Sequence, residues 1–113
     1  MPTAQGIISG NFNNFEGHWI VDGYSVQFRG NFSQSVEQFQ SSTATLEYDT
    51  IEDLAGLYVI DTAQTPSHVG NTDVVLSLAN HVGKKVKITG SLSFPISERS
   101  LLTGQGAWII QGN

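Results

Sequence analysis

The sequence contains no cysteine and few charged residues, and each of these two features excludes or disfavours a kind of site or structure. Without cysteine among its 113 residues, the chain has no disulfide framework, thiolate nucleophile or cysteine-based zinc site. Charged residues make up only 13%, about half the usual share, which disfavours long helices held by ion pairs. The chain shows neither a basic start followed by an apolar run nor an apolar stretch of membrane-spanning length, so we expect a cytoplasmic protein. A virion location or non-classical export stays open.

Uncharged polar residues take the place of the missing charged ones, and the chain still has enough apolar residues to fold. The chain is 39% hydrophobic and 10% aromatic, which is sufficient for one core in a chain of this size. We therefore expect a single all-β domain over residues 1–113.

The charges are divided unevenly along the chain. Residues 1–83 hold nine acids and one base, for −8, whereas residues 84–113 hold four bases and one acid, for +3, giving the net −5. An acidic domain repels a phosphate backbone, so a duplex nucleic-acid partner is disfavoured. The exception is a small basic patch of Lys85 and Lys87 with Lys84 and Arg99, for which a solvated edge strand is the alternative interpretation.

Two long stretches alternate between apolar and polar residues, which is typical of strands with one buried face. They are residues 24–32 and 86–94, and each has a glycine midway, Gly30 or Gly90, where we expect a bend. Shorter strands are predicted at 19–21, 57–60, 74–78 and 108–110, with a weaker one at 43–48. Brief helical turns are predicted at 35–40, 51–54 and 78–82.

A two-strand unit recurs three times. Ile8-Ser9-Gly10-Asn11-Phe12, Phe28-Arg29-Gly30-Asn31-Phe32 and Ile88-Thr89-Gly90-Ser91-Leu92 are each followed by Gly, any residue, an aromatic residue and two aliphatic residues. The recurrence favours antiparallel hairpins. It predicts an N-terminal hairpin at 7–22, with its turn at 13–16, and two long loops at 33–55 and 95–105.

The order of strands over residues 24–111 resembles the five-stranded OB-fold barrel. The segment 78–92, Leu-Ala-Asn-His-Val-Gly-Lys-Lys-Val-Lys-Ile-Thr-Gly-Ser-Leu, is similar to the turn and fourth strand of many bacterial OB domains. The resemblance implies a small antiparallel barrel with the hairpin 7–22 added, and binding along its second and third strands and the loops 33–55 and 95–105. A seven- or eight-stranded β-sandwich is the alternative.

No catalytic or cofactor motif is present. The three histidines, His18, His68 and His81, have no Gly-x-Ser-x-Gly turn and no metal-ligand spacing around them, so we expect no enzyme, no metal and no cofactor. The acidic cluster Glu47, Asp49, Glu52 and Asp53 could act as acid and base or collect a cation, or could simply form a solvated loop face.

Exposed aromatic residues are the better functional signal, because rings stack on bases and sugars. Tyr48 is the first choice for exposure, and Phe39 either fastens the long loop or contacts a partner. The leading hypothesis is a non-catalytic module that presents the two loops to a protein partner. The alternatives are a binder of single-stranded nucleic acid or oligosaccharide, and an assembly subunit, of a phage or filament for example, that forms homo-oligomers through strand edges. The predicted binding residues are Phe39, Tyr48, Asp49, Glu52, Asp53, Tyr58, Lys85, Lys87 and Arg99.

Overall fold

The computed structural model describes residues 2–61, 66–97 and 99–111, and these residues are almost entirely β-structure. One 3₁₀ turn, Ile51–Asp53, follows the second strand. The strands are β1 (Thr3–Val21), β2 (Tyr24–Glu47), β3 (Gly56–Ile60), β4 (Ser67–Val69), β5 (Asp73–Ala79), β6 (Lys85–Ser91), β7 (Ser100–Leu102) and β8 (Gly104–Gln111).

Five of the strands close into a barrel, so the predicted small antiparallel barrel is confirmed and the sandwich alternative is not. The ring runs β2–β8–β3–β5–β6 and returns to β2, and every one of its pairings is antiparallel. A ring with an odd number of antiparallel pairings closes only if one strand reverses its direction. That strand is β2, whose residues 25–32 pair with β8 and whose residues 45–47 pair with β6.

The bend of β2 corrects the predicted loop at 33–55. Residues 33–47 continue the strand instead, and the predicted helical turn at 35–40 lies within it. The weaker strand predicted at 43–48 matches its last part, whereas residues 33–42 were missed because their buried side chains, among them Val36 and Phe39, do not follow an alternating pattern. Shifts in the β1–β2 register interrupt the period of two that identifies a strand in sequence. The connection that remains, residues 48–55, holds the 3₁₀ turn, in agreement with the prediction for 51–54.

Strand β1 pairs with β2 along almost its whole length and forms the extra N-terminal element. The predicted hairpin at 7–22 with its turn at 13–16 is therefore wrong, because those residues lie almost entirely in one strand. The hairpin of the structure is β1–β2, and its turn lies at Asp22–Gly23, where both residues have positive φ. Trp19 shows how far this ribbon bends: it pairs with Val26, yet its indole nitrogen donates to the carbonyl oxygen of Ala44 at 3.1 Å. The two ends of the hairpin are thus packed on each other.

The barrel interior is filled by aromatic and branched side chains. Trp108 contacts three other rings, those of Trp19, Phe28 and Tyr58, at centroid separations of 5.8, 4.7 and 6.3 Å. The buried positions of β6 are Val86 and Ile88, and its lysines are exposed, as predicted. The two predicted alternating strands, 24–32 and 86–94, were each wrong at one end: Tyr24, the first residue of one, is 44% exposed, and Phe94, the last residue of the other, is 42% exposed.

The segment before β8 lies along the bend of β2. Main-chain hydrogen bonds join Ser33 N to the Thr103 oxygen at 2.8 Å and Ser93 N to the Gln40 oxygen at 2.7 Å. Strand β7 lies within the predicted 95–105 loop and pairs with β4. The two predicted loops are therefore neighbours, although much of each is strand. In the described part of the chain, no helix has the length and apolar character needed to cross a membrane.

Candidate ligand-binding groove

A groove with a volume of about 1010 Å³ runs across the outer face of β1, β2, β8 and β3. Its centre is a part of the sheet where Asn14 pairs with Asn31, and Asn31 with Gln105. The next row joins Glu16, Arg29, Ala107 and Leu57 across the same four strands. The groove is lined by Ser9, Gly10, Asn11, Phe12, Asn14, Phe15, Glu16, Arg29, Gly30, Asn31, Gln38, Phe39, Gln40, Leu57, Gln105, Gly106 and Ala107.

Uncharged carboxamides dominate the groove. Asn14, Asn31 and Gln105 form one transverse row, and neighbouring strands place their Cα atoms about 4.8 Å apart in the hydrogen-bonding direction. Each carboxamide offers two donors and one acceptor oxygen. Within the described residues, none of these carboxamide groups makes a hydrogen bond to another protein group, so all remain available to a ligand. The full set is Asn11, Asn14, Asn31, Gln38, Gln40 and Gln105.

Phe12 is an exposed aromatic side chain on the wall of this groove. Its side chain is 66% exposed, and its backbone has φ +58°. The register of β1 against β2 shifts on both sides of it, between Gly10 and Phe12 and between Phe12 and Asn14. A bulky residue in the left-handed region is a true outlier, and such strained positions cluster at functional sites.

The two charged side chains that the described residues contribute to the groove lining compensate each other. Arg29 Nε lies 3.5 Å from Glu16 Oε2, and both side chains are more than half exposed. An exposed pair of this kind adds little stability, but it leaves the groove electrically neutral in a chain of net charge −5. The lining therefore suits a ligand without net charge.

The three aromatic residues predicted to bind are all buried, so this part of the prediction was wrong. Phe39 and Tyr58 are fully buried, and Tyr48 is 7% exposed. Phe39 packs in the bend of β2 against the ring of Phe32 and so fastens this segment; it belongs to the groove lining, but its side chain has no exposed surface. The Tyr58 hydroxyl donates to the carbonyl oxygen of Asp53 at 2.6 Å. Burial, together with the charge of Asp53, raises the pKa of Tyr58.

The acidic cluster meets a lysine that the sequence had assigned to the basic patch. Lys84 Nζ lies 3.2 Å from Asp49 Oδ2 and 3.8 Å from Asp53 Oδ2. The hydrogen bond to Asp49, followed by the charges of Asp53 and Asp49, raises the pKa of Lys84. Asp53 also accepts from the main-chain nitrogen of Thr50 at 3.3 Å. The cluster thus fixes the 3₁₀ turn to the β5–β6 turn, while Glu52 is exposed beside it.

The basic residues do not form one patch. Lys85 and Lys87 are exposed on β6, and Lys87 pairs with Glu47 of β2. Arg99 precedes β7, which is separated from β6 by β4 and β5. The register sets Ser100 level with Gly90, three residues along β6 from Lys87, so Arg99 is roughly 15 Å or more from Lys87 at the usual strand spacings. Lys85 and Lys87 therefore lie on a different strand from the start of β7, which Arg99 precedes, and a role of these three residues in binding stays a prediction.

A serine and a histidine meet beside the groove. His18 Nε2 lies 2.6 Å from Ser25 Oγ in an adjoining cavity of about 440 Å³ that also includes Gln27. A nucleophilic serine needs a base oriented by a third group. Among the described residues, no hydrogen bond orients the other ring nitrogen of His18. The described residues also contain no group of three His, Asp or Glu side chains that could hold a metal ion.

The groove residues were missed because asparagine and glutamine on strands carry no motif. The available signal was the recurring unit itself, in which Gly10 and Gly30 are each followed by asparagine. Both glycines and both asparagines, Asn11 and Asn31, line the groove. The chain matches no protein-family model, no curated protein and no solved structure.

Proposed function

We propose that this chain is a non-catalytic binding module whose ligand occupies the carboxamide groove. The observation that carries the proposal is a set of six uncharged carboxamides, gathered from β1, β2 and β8 on one concave face, that make no hydrogen bond to any described residue. Binding sites are concave, and a few converging polar groups fix the ligand's orientation. The volume of about 1010 Å³ is large enough for a chain of several units.

Side-chain NH₂ resonances in two-dimensional ¹H–¹⁵N NMR spectra test this proposal directly. The probes are a mixture of neutral hexasaccharides, the oligonucleotide (dT)₈ and a tryptic peptide digest of serum albumin, each added separately. We expect one probe to shift the carboxamide resonances of the groove. Gln5 and Asn80 are internal controls, because Gln5 donates to Thr45 and Asn80 accepts from Val82 and Lys84. If no probe moves the groove resonances more than the controls, the proposal fails.

A second candidate is the protein-contact surface expected from the sequence, in corrected form. It consists of the segment 33–40 beside the described residues 93–97 and 99–103. Four contacts support it: the two main-chain bonds described above, Ser97 to Glu37, and Gln34 to the Leu101 oxygen. Leu101 is 63% exposed on this surface and Phe94 is 42% exposed. Shifts confined to residues 93–103 in the peptide titration would favour this function over the groove.

A further inference from the structure

We infer that the groove ligand is a neutral oligosaccharide, with the ring of Phe12 stacked against one of its sugar units. The inference rests on the proposed function and names its ligand class. Three features of the groove bear on it separately: its charge, its hydrogen-bonding groups and its one exposed aromatic ring.

The charge of the groove argues against a phosphate backbone. Among the described residues, Arg29 is the one cation in the lining, and Glu16 lies 3.5 Å from it. Nucleic-acid binding gains much of its affinity from several cations that displace counterions. The described lining holds no second Lys or Arg to supply this, and the chain as a whole carries −5. A ligand without charge avoids this electrostatic penalty.

The hydrogen-bonding groups match hydroxyls. A sugar hydroxyl both donates and accepts, and a carboxamide does the same, so one side chain can contact two neighbouring hydroxyls. Asn14, Asn31 and Gln105 repeat this group at the strand spacing of about 4.8 Å, close to the length of one pyranose ring. Such a row can follow successive sugar units of an extended chain.

The aromatic ring supplies an apolar surface for the face of a sugar. Phe12 is 66% exposed although its conformation is unfavourable for a bulky side chain. Leu57, at the far end of the row that contains Glu16, is 58% exposed. A sugar ring has one face rich in C–H groups and an equator of hydroxyls, so it can contact Phe12 and the carboxamides together. A peptide would more often need deeper apolar pockets for its side chains.

Isothermal titration calorimetry with maltohexaose, cellohexaose, xylohexaose and chitohexaose tests the inference. We expect at least one to bind, with an affinity that changes less than about twofold between about 0.05 and about 0.5 M NaCl, since counterion release would change it far more. Phe12→Asn should weaken binding about tenfold or more, in line with the contribution of one stacked ring. The matched control is Tyr24→Asn, which removes an exposed aromatic ring outside the groove and should leave the affinity unchanged.

Circular dichroism first establishes that both variants fold. A second test is Asn31→Asp, which changes the middle carboxamide of the row Asn14, Asn31 and Gln105 without changing the size of its side chain. We expect Asn31→Asp to weaken binding, because it replaces two donors with a charge. The inference is overturned if none of the four sugars binds, if Phe12→Asn binds like the wild type, or if affinity falls steeply with salt. Groove shifts with (dT)₈ or peptides alone would overturn the sugar assignment and keep the binding function. Absence of groove shifts with every probe would remove both.

Discussion

Gly6 packs directly against the main chain of His18, in the same strand. A Cβ atom at position 6 would lie 2.1 Å from the carbonyl oxygen of His18 and 2.4 Å from Cδ1 of Trp19. Gly17, which lies next to His18, in turn faces the residue after Gly6: a Cβ atom at position 17 would lie 3.3 Å from the carbonyl oxygen of Ile7. The bent hairpin therefore closes where two parts of β1 meet, and glycine is needed on both sides of the contact.

Gly6→Val is expected to lower the free energy of unfolding by at least about 2 kcal/mol, because overpacking against the main chain forces the strand apart. Urea unfolding at neutral pH measures the effect. Thr3→Ala, at an exposed position of the same strand, is the control and should change stability by less than about 0.5 kcal/mol. A Gly6→Val variant as stable as the wild type would show that the ends of the hairpin do not pack as described.

Alkaline pH is expected to destabilise the fold. Burial raises the pKa of Tyr48, helped by the charge of Asp22, and the effects described above raise those of Tyr58 and Lys84. A group whose pKa is higher in the folded chain stabilises it fully below the unfolded-state value. These values are 10.0 for tyrosine and 10.5 for lysine, and the stabilisation is lost as pH rises through the folded-state pKa.

The free energy of unfolding should therefore fall as pH increases beyond about 10, with a negative slope to which all three groups contribute. Chemical unfolding at a series of pH values from about 8 to about 11 measures the free energy of unfolding. This range spans the ordinary pKa values of tyrosine and lysine. Tyr58→Phe should make the slope shallower, because one proton no longer differs between the two states. An identical slope in Tyr58→Phe and wild type would contradict the role assigned to Tyr58.

Strict alternation explains which parts of the fold were predictable. On β6, Val86 and Ile88 alternate with Lys85 and Lys87, and the structure follows that pattern. Such a strand is recognisable because its two faces differ at each successive residue. The overall class followed from several strands of this kind. The barrel itself depends on the bend of β2, which only contacts between distant parts of the chain establish.

Tyr48 shows why the candidate site could not be predicted in the same way. It ends the weak strand pattern at 43–48, inside the predicted loop 33–55 and directly before Asp49, so its neighbours in sequence do not indicate burial. Its burial results from contacts elsewhere in the fold, where its main-chain nitrogen donates to the Pro2 oxygen at 3.2 Å. Conversely, nothing in the sequence distinguishes Asn14 and Asn31 from other polar residues on strands. Only the register of β1 against β2 places them side by side.

Glu37 holds the segment before β7 against the bend of β2. The main-chain nitrogen of Ser97 donates to Glu37 Oε1 at 3.2 Å, and the Ser97 hydroxyl donates to the same oxygen at 2.5 Å. We expect Glu37→Ala to increase hydrogen exchange at the Ser97 amide severalfold while leaving exchange at the buried Ile88 amide of β6 unchanged. Glu37→Gln retains an acceptor oxygen and should have a smaller effect. Equal exchange at Ser97 in all three proteins would show that another contact holds the segment.

Phe12 should be dispensable for folding, which separates its role from that of the neighbouring Phe15. Asparagine adopts positive φ far more readily than phenylalanine, and the left-handed conformation costs a bulky residue about 1–2 kcal/mol. We therefore expect Phe12→Asn to match the wild type in urea unfolding or to exceed it by up to about 1 kcal/mol. Phe15 is buried and stacks on Phe32 at 4.3 Å, so Phe15→Asn should lose at least about 3 kcal/mol. If Phe12→Asn were equally damaging, Phe12 would be a structural residue. If instead stability is kept or raised while ligand binding is lost, the exposed ring serves the ligand and not the fold.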